Sequence, residues 1–204
     1  MMISHERIIQ WMNVIREDVG LPSQYRLLEN FWGSQLYSKE WMISQLVPHL
    51  SSVDTVYIFG GWHGILAQLI IDAYPDIRIF SIDKDPQCSV VGSRLKFPVD
   101  NIQFITCDMQ DFSQYTTNTK IVINSSTEHV EQHVFDRWFE NVPAESIVAL
   151  QGNNFFECLE HIRCTNTLDE FNTLNPLKNY LYSGTMLCQG PNNQYTRFMT
   201  IGYK

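Results

Sequence analysis

From residue 53 onward the chain alternates short β-branched runs with helical segments, and that rhythm limits the possible folds more than any other feature. Thr55–Phe59, Ile77–Asp83, Ile102–Asp108, Lys120–Asn124 and Ser146–Gln151 read as strands. Ile65–Tyr74, Pro86–Leu95 and Val130–Asn141 read as helices between them. Several of the strand runs are apolar throughout, as strands covered on both faces of a parallel sheet must be. Such alternation gives a doubly wound, mostly parallel α/β sheet with right-handed crossovers. The chain ends differently: Asn179–Gln189 and Tyr195–Tyr203 flank Gly190-Pro191-Asn192-Asn193 and read as a long antiparallel hairpin.

Residues 1–52 have a helical period instead. Ile8, Ile9, Trp11, Met12 and Ile15 form one apolar face, Gly20-Leu21-Pro22 and Trp32-Gly33-Ser34 punctuate, and a second helix is expected from Ser38, as N-cap, toward His49. The expected organisation is an N-terminal helical arm, 1–52, before one α/β domain, 53–204. At 204 residues, with 44 % apolar and 18 % charged side chains, the composition is that of one folded domain. Fourteen basic against twenty-two acidic residues give a net charge of −8, which removes the general attraction for phosphate. A small molecule or a protein side chain is therefore a better expected partner than nucleic acid. The cysteines at 88, 107, 158, 164 and 188 are odd in number and form no C-x-x-C, which suits reduced thiols in the cytoplasm. The opening Met-Met-Ile-Ser-His-Glu-Arg has no signal-peptide pattern, and the longest apolar stretch, Ile65 to Ile71, is too short for a membrane span.

Three strand ends carry the candidate chemistry. The first strand runs through Phe59 into Gly60-Gly61-Trp62-His63-Gly64 and then into a helix. Glycines let such a corner bend sharply and approach a ligand, while the helix start offers unpaired N–H groups. The second strand closes on Asp83, nineteen residues after Gly64 and followed by Lys84; a carboxylate there can accept both hydroxyls of a ribose. Asp85-Pro86 reads as the cap of the next helix, which would leave Asp83 to the ligand. The third strand ends in Cys107-Asp108-Met109-Gln110-Asp111, facing the same crevice at the carboxyl edge of the sheet.

Gly60–Gly64, Ile82-Asp83-Lys84-Asp85-Pro86 and Cys107–Asp111 resemble the first three motifs of the class I S-adenosylmethionine-dependent methyltransferases, which have a Rossmann-like fold. The resemblance covers about residues 53–204, terminal hairpin included. It implies S-adenosylmethionine as cofactor, with Phe59, Gly60, Gly61, Trp62 and Gly64 at its methionine part. It further implies Asp83 and Lys84 at the ribose, Asp108 or its neighbours such as Met109 at the adenine, and Asn124 also among the cofactor-binding residues. The chain departs from the family pattern at Ile58, where an acidic residue is usual, and at Trp62, where glycine is usual; either ammonium recognition falls to other residues or the cofactor sits differently. The indole of Trp62 either packs as core or faces a cationic group.

By the same resemblance the end of the fourth strand, Asn124-Ser125-Ser126-Thr127-Glu128-His129, is the catalytic neighbourhood. The Asn/Asp-Pro-Pro-aromatic motif of many amino-methylating relatives is absent there. Methyl transfer is mostly positioning, with a base required only for a protonated acceptor. Glu128 and His129 are the candidate bases and Asn124 the orienting residue; a dipole-stabilised helix charge and a surface histidine are the bland alternatives. Gln151, Asn153 and Asn154 read either as acceptor-binding carboxamides or as turn formers. His129 and His133 share a helix face, but H-E-x-x-H is absent, and Cys158, His161 and Cys164 have only loose ligand spacing, so no metal is expected. The resemblance also makes Trp32, Tyr37, Lys39 and Trp41 on the arm candidates to cover the cofactor, with Lys39 toward its carboxylate; plain core packing is the alternative for each aromatic. A dehydrogenase reading lacks room for a second nucleotide half. Two rivals stay open: aminocarboxypropyl transfer from the same cofactor, and a non-catalytic binding subunit that keeps the fold.

Overall fold

A computed structural model describes residues 5–17, 27–95, 100–116, 120–190 and 192–204; Gly20-Leu21-Pro22 and Pro191 lie outside them. Seven strands form one sheet in the order β3-β2-β1-β4-β5-β7-β6. They are β1 (Thr55–Phe59), β2 (Arg78–Asp83), β3 (Ile102–Thr106), β4 (Lys120–Asn124), β5 (Ile147–Asn153), β6 (Lys178–Gln189) and β7 (Gln194–Tyr203). The first five are mutually parallel, and β7 runs antiparallel to both β5 and β6. This is the class I methyltransferase fold. Strand order reverses between β1 and β4, so a crevice opens at their carboxyl ends, where such sheets bind ligands.

The helices are α1 (His5–Glu17), α2 (Gly33–Leu50), α3 (Ile65–Ala73), α4 (Pro86–Leu95), α5 (Gln132–Asn141) and α6 (Leu168–Leu174). Alternation along β1 divides the core. Val56 and Ile58 join an aliphatic cluster with Met42, Leu46, Leu66 and Ile70, to which Trp11 and Ile15 of α1 also belong. Tyr57 and Phe59 join an aromatic cluster with Phe112, Phe135, Trp138 and Phe198. The arm and the sheet thus share one apolar interior. Arg7 of α1 ties down to α3 through Gln68, at 3.0 Å, and Asp72.

Two local differences from the sequence reading have physical causes. Ser38 does not cap a helix: α2 starts at Gly33, and the buried Ser38 Oγ donates back to the Gln35 carbonyl at 3.0 Å. Inside a helix a serine can satisfy its hydroxyl by bonding back to a carbonyl of the preceding turn. The helix α6 was not foreseen, although Thr167 Oγ1 accepts the Glu170 N–H at 3.1 Å as its cap. Among the described residues no helix is long and apolar enough to cross a membrane.

Candidate active site

The corner after β1 folds as it does because three residues take positive φ: Gly60 at 61°, Trp62 at 48° and Gly64 at 77°. At Gly60 a Cβ would also lie 2.3 Å from Ser126 Oγ, and at Gly64 one would lie 2.6 Å from the Phe104 ring. Only glycine serves at those two. Trp62, at the position where the methyltransferase pattern has glycine, accepts the left-handed conformation instead. Its backbone N–H donates to Asp83 Oδ2 at 3.0 Å, and its indole stacks on His63 with centroids 5.1 Å apart. His63 is buried and meets the Asn30 carboxamide at 2.6 Å, so the arm braces the corner from behind.

Asp85 caps α4, its Oδ1 accepting the Gln87 N–H at 2.9 Å, as expected. Asp83 is not left free by this. Its Oδ1 accepts the Asp85 N–H at 3.0 Å while Oδ2 holds Trp62. A carboxylate has about four acceptor sites, so each oxygen keeps one for a further donor. Asp108 Oδ1 accepts the Gln110 N–H at 3.1 Å at the start of a short 3-10 turn.

These residues open onto a cavity of about 1750 Å³. Gly60, Gly61, Trp62, Asp83, Lys84, Asp108, Met109, Glu128 and His129 all line it, as do Ile58 and Ile82. From the arm come Asn30, Trp32, Tyr37 and Lys39. Trp41 turns away, donating its indole N–H to Tyr182 Oη at 3.2 Å. Lys39 Nζ donates to Gln35 Oε1 at 2.9 Å. Burial, with the Arg197 guanidinium adding to it, brings the Lys39 amine down to about 7.

Several other expected site residues do not reach the cavity wall. Phe59 is fully buried against Phe112 and Trp138, and Gly64 backs onto Phe104. Asn124 is buried, its Oδ1 accepting the Ser126 N–H at 3.2 Å. The three carboxamides at the end of β5 and just beyond it are occupied by structure. Gln151 Nε2 donates to the Ser38 carbonyl at 3.0 Å, Asn153 Nδ2 to Glu128 Oε1 at 2.5 Å, and Asn154 Oδ1 accepts the Thr196 N–H at 2.6 Å. The physical reason is that β5 runs on to Asn153, so Gln151 and Asn153 lie within a paired strand and not in a turn.

The end of β4 leads into a 3-10 turn, Thr127–His129, before α5. Glu128 is 2 % exposed and His129 is exposed. Glu128 is therefore no solvated helix charge. Besides Asn153, its Oε1 faces Arg197 Nη1 at 3.9 Å, while its Oε2 is buried with no hydrogen-bond partner. Asn153 and Arg197 are directly paired across β5 and β7, which brings both to one carboxylate. His129 meets His161 edge to face, with ring centroids 4.6 Å apart. Burial lowers the His161 pKa, against the opposing pull of Glu128. His133, by contrast, is exposed and pairs with Glu131 at 3.1 Å. Burial, then the Glu128 charge, raises the nearby Cys164 thiol to about 11, so it stays protonated at neutral pH. Sequence reading missed Arg197 altogether, and saw in His161 only a loose ligand spacing with Cys158 and Cys164.

No family model matches the chain and no curated protein matches it. Solved structures do. N-methyltransferase NodS from Bradyrhizobium japonicum WM9, in complex with S-adenosyl-L-homocysteine, aligns with a TM-score of 0.66 at 12 % identity, over 95 % of this chain and 98 % of that one. The plantazolicin methyltransferase BpumL, in complex with the same compound, aligns with a TM-score of 0.60 at 11 % identity, over 96 % of each chain. The S-adenosylmethionine-dependent methyltransferase SibL aligns with a TM-score of 0.59 at 12 % identity, over 99 % of this chain and 71 % of that one. At these identities the likeness is one of fold.

Proposed function

We propose that the chain is a cytoplasmic S-adenosylmethionine-dependent methyltransferase acting on a small-molecule or protein side-chain acceptor. The observation that carries this reading is the glycine corner at 60–64 pinned to Asp83, opening on a large cavity at the point where strand order reverses. The lining fits the cofactor. Asp83 keeps an acceptor site on each oxygen for the two ribose hydroxyls, and Ile82 and Met109 offer apolar flanks for adenine. Gly60 and Gly61 present bare backbone to the methionine part, and Lys39 supplies a cation for its carboxylate. Folds of this kind with bound S-adenosyl-L-homocysteine support the choice of cofactor.

When bound, S-adenosylmethionine supplies a methyl group already activated on a sulfonium. What remains for the chain is to position the acceptor and exclude water. Trp32 and Tyr37 of the arm wall off one side, while Glu128 and His129 stand at the acceptor end with atoms able to take a proton. Asn124 orients from behind, by holding the turn that carries them.

Calorimetric titration with S-adenosylhomocysteine tests the cofactor, and incubation of extracts with methyl-labelled cofactor tests the transfer. Binding followed by label in an acceptor is expected. Release of methylthioadenosine would replace methyl transfer by aminocarboxypropyl transfer, and absence of binding would remove the reading.

A further inference from the structure

We infer that Glu128, His129 and His161 form a binding site for a divalent transition-metal ion at the acceptor end of the cavity. Each offers one ligand atom, and these atoms all lie within 4.8 Å of one another. Two imidazoles and a carboxylate are a donor set suited to zinc and its first-row neighbours, and three protein ligands leave a position open. An ion about 2.1 Å from each donor would draw them closer together, a movement the exposed His129 can make.

Several details prepare these groups for an ion. The Glu128 side chain is buried, and while Asn153 and Arg197 take up Oε1, Oε2 has no partner. A partnerless buried carboxylate oxygen is costly to maintain, and a cation would satisfy it. His161 Nδ1 lies 2.9 Å from the Phe155 carbonyl. That contact requires the proton on Nδ1 and leaves the Nε2 lone pair for a ligand, which is how metal-binding histidines are commonly held. Asn153 fixes the carboxylate in the same supporting way. The chain's net charge of −8 favours a cation over an anion.

Glu128, His129 and His161 also line the cavity shared with Asp83 and the glycine corner. The open position of the ion would therefore take an oxygen donor of the acceptor and orient it, lowering its pKa as bound cations do. This role rests on the methyltransferase reading; the ion site itself does not.

The test is titration of zinc chloride and cobalt chloride into the full chain, without cofactor, by calorimetry and visible absorption. One ion per chain is expected. His129→Ala and His161→Ala should each weaken it at least about tenfold, with His133→Ala unchanged. Since His129 is exposed, that variant keeps its fold, checked by a parallel melting curve. The inference is overturned if neither metal binds stoichiometrically, or if both histidine variants bind as the parent does. A sulfur-to-cobalt charge-transfer band would also overturn it, by moving the ion to Cys158 or Cys164. A chain that binds S-adenosylhomocysteine but no ion loses this site alone; one that binds the ion but not that compound loses the cofactor reading alone.

Discussion

The backbone N–H of Trp62 donates to Asp83 Oδ2 at 3.0 Å, joining the corner after β1 to the end of β2. One carboxylate thereby shapes the turn proposed to face the methionine part, and in the same proposal its remaining acceptor sites serve the ribose. Binding and local folding would then depend on the same side chain.

Asp83→Asn should accordingly show two losses. Cofactor affinity falls by about 1.5–3 kcal/mol, the range for hydrogen bonds to a charged group. Stability also falls, by about 1–3 kcal/mol, because the amide turns an N–H donor toward a backbone N–H that had an acceptor. Calorimetry with S-adenosylhomocysteine reads the first and urea denaturation the second.

Trp62 sits at a φ of 48°. The left-handed conformation costs a side chain about 1–2 kcal/mol, and glycine escapes that cost while losing about 0.5–1 kcal/mol to its freer unfolded chain. Trp62→Gly is therefore expected to stay within about 1 kcal/mol of the parent in urea midpoints. Trp62→Val, β-branched at the same φ, should be less stable than either.

Lys39 gives a pH signature. Its amine titrates at about 7 in the folded protein, lowered by burial, and at its ordinary, higher value when unfolded. Between those limits the unfolded chain binds the extra proton, so the Lys39 contribution makes stability rise with pH. Lys39→Met should remove that rise, measured as the difference in urea midpoints between variant and parent from about pH 7 to about pH 10. Binding a carboxylate needs the charged amine, so affinity for S-adenosylhomocysteine should fall as pH climbs through 7, in the opposite sense. Titrations in buffers of different ionisation enthalpy would show proton uptake on binding.

Arg163 anchors the stretch that carries His161. It is buried, its guanidinium lies 4.2 Å over the Phe135 ring, and it donates to Gln132, to the Leu174 carbonyl and to Asn175. Burial lowers its pKa to about 10, against the charges of Asp136 and Glu128. Arg163→Ala should cost about 2–3 kcal/mol in thermal or urea unfolding. Arg163→Lys should recover little, since an ammonium cannot reproduce the planar fork.

The sheet was legible wherever strand and helix boundaries coincide with punctuation. β1, β4 and α4 begin and end at the residues expected from Gly60, Asn124 and Asp85-Pro86. The cavity lining at Gly60, Gly61, Asp83 and Asp108 was legible for the same reason, since it lies at or just beyond strand ends. The wall around Glu128 and His161 was not. Glu128 is buried because Asn153 and Arg197 meet across antiparallel strands forty-four positions apart, and His161 arrives on a segment with no regular period. Pairing over such distances leaves no local trace. The helix α6 did leave one, in Thr167 and Glu170, three apart.

The segment bearing His161 is fastened at its two ends, by the Asn154–Thr196 pairing on one side and by Arg163 on the other. Between them Phe156 and Leu159 stand in solvent, and Glu157 accepts from Asn193 Nδ2 at 2.5 Å. Sequence drift there leaves the sheet registered and the glycine corner undisturbed. Under the proposed function, rewriting a few positions of this one strap would alter the choice of acceptor without reinventing the donor side.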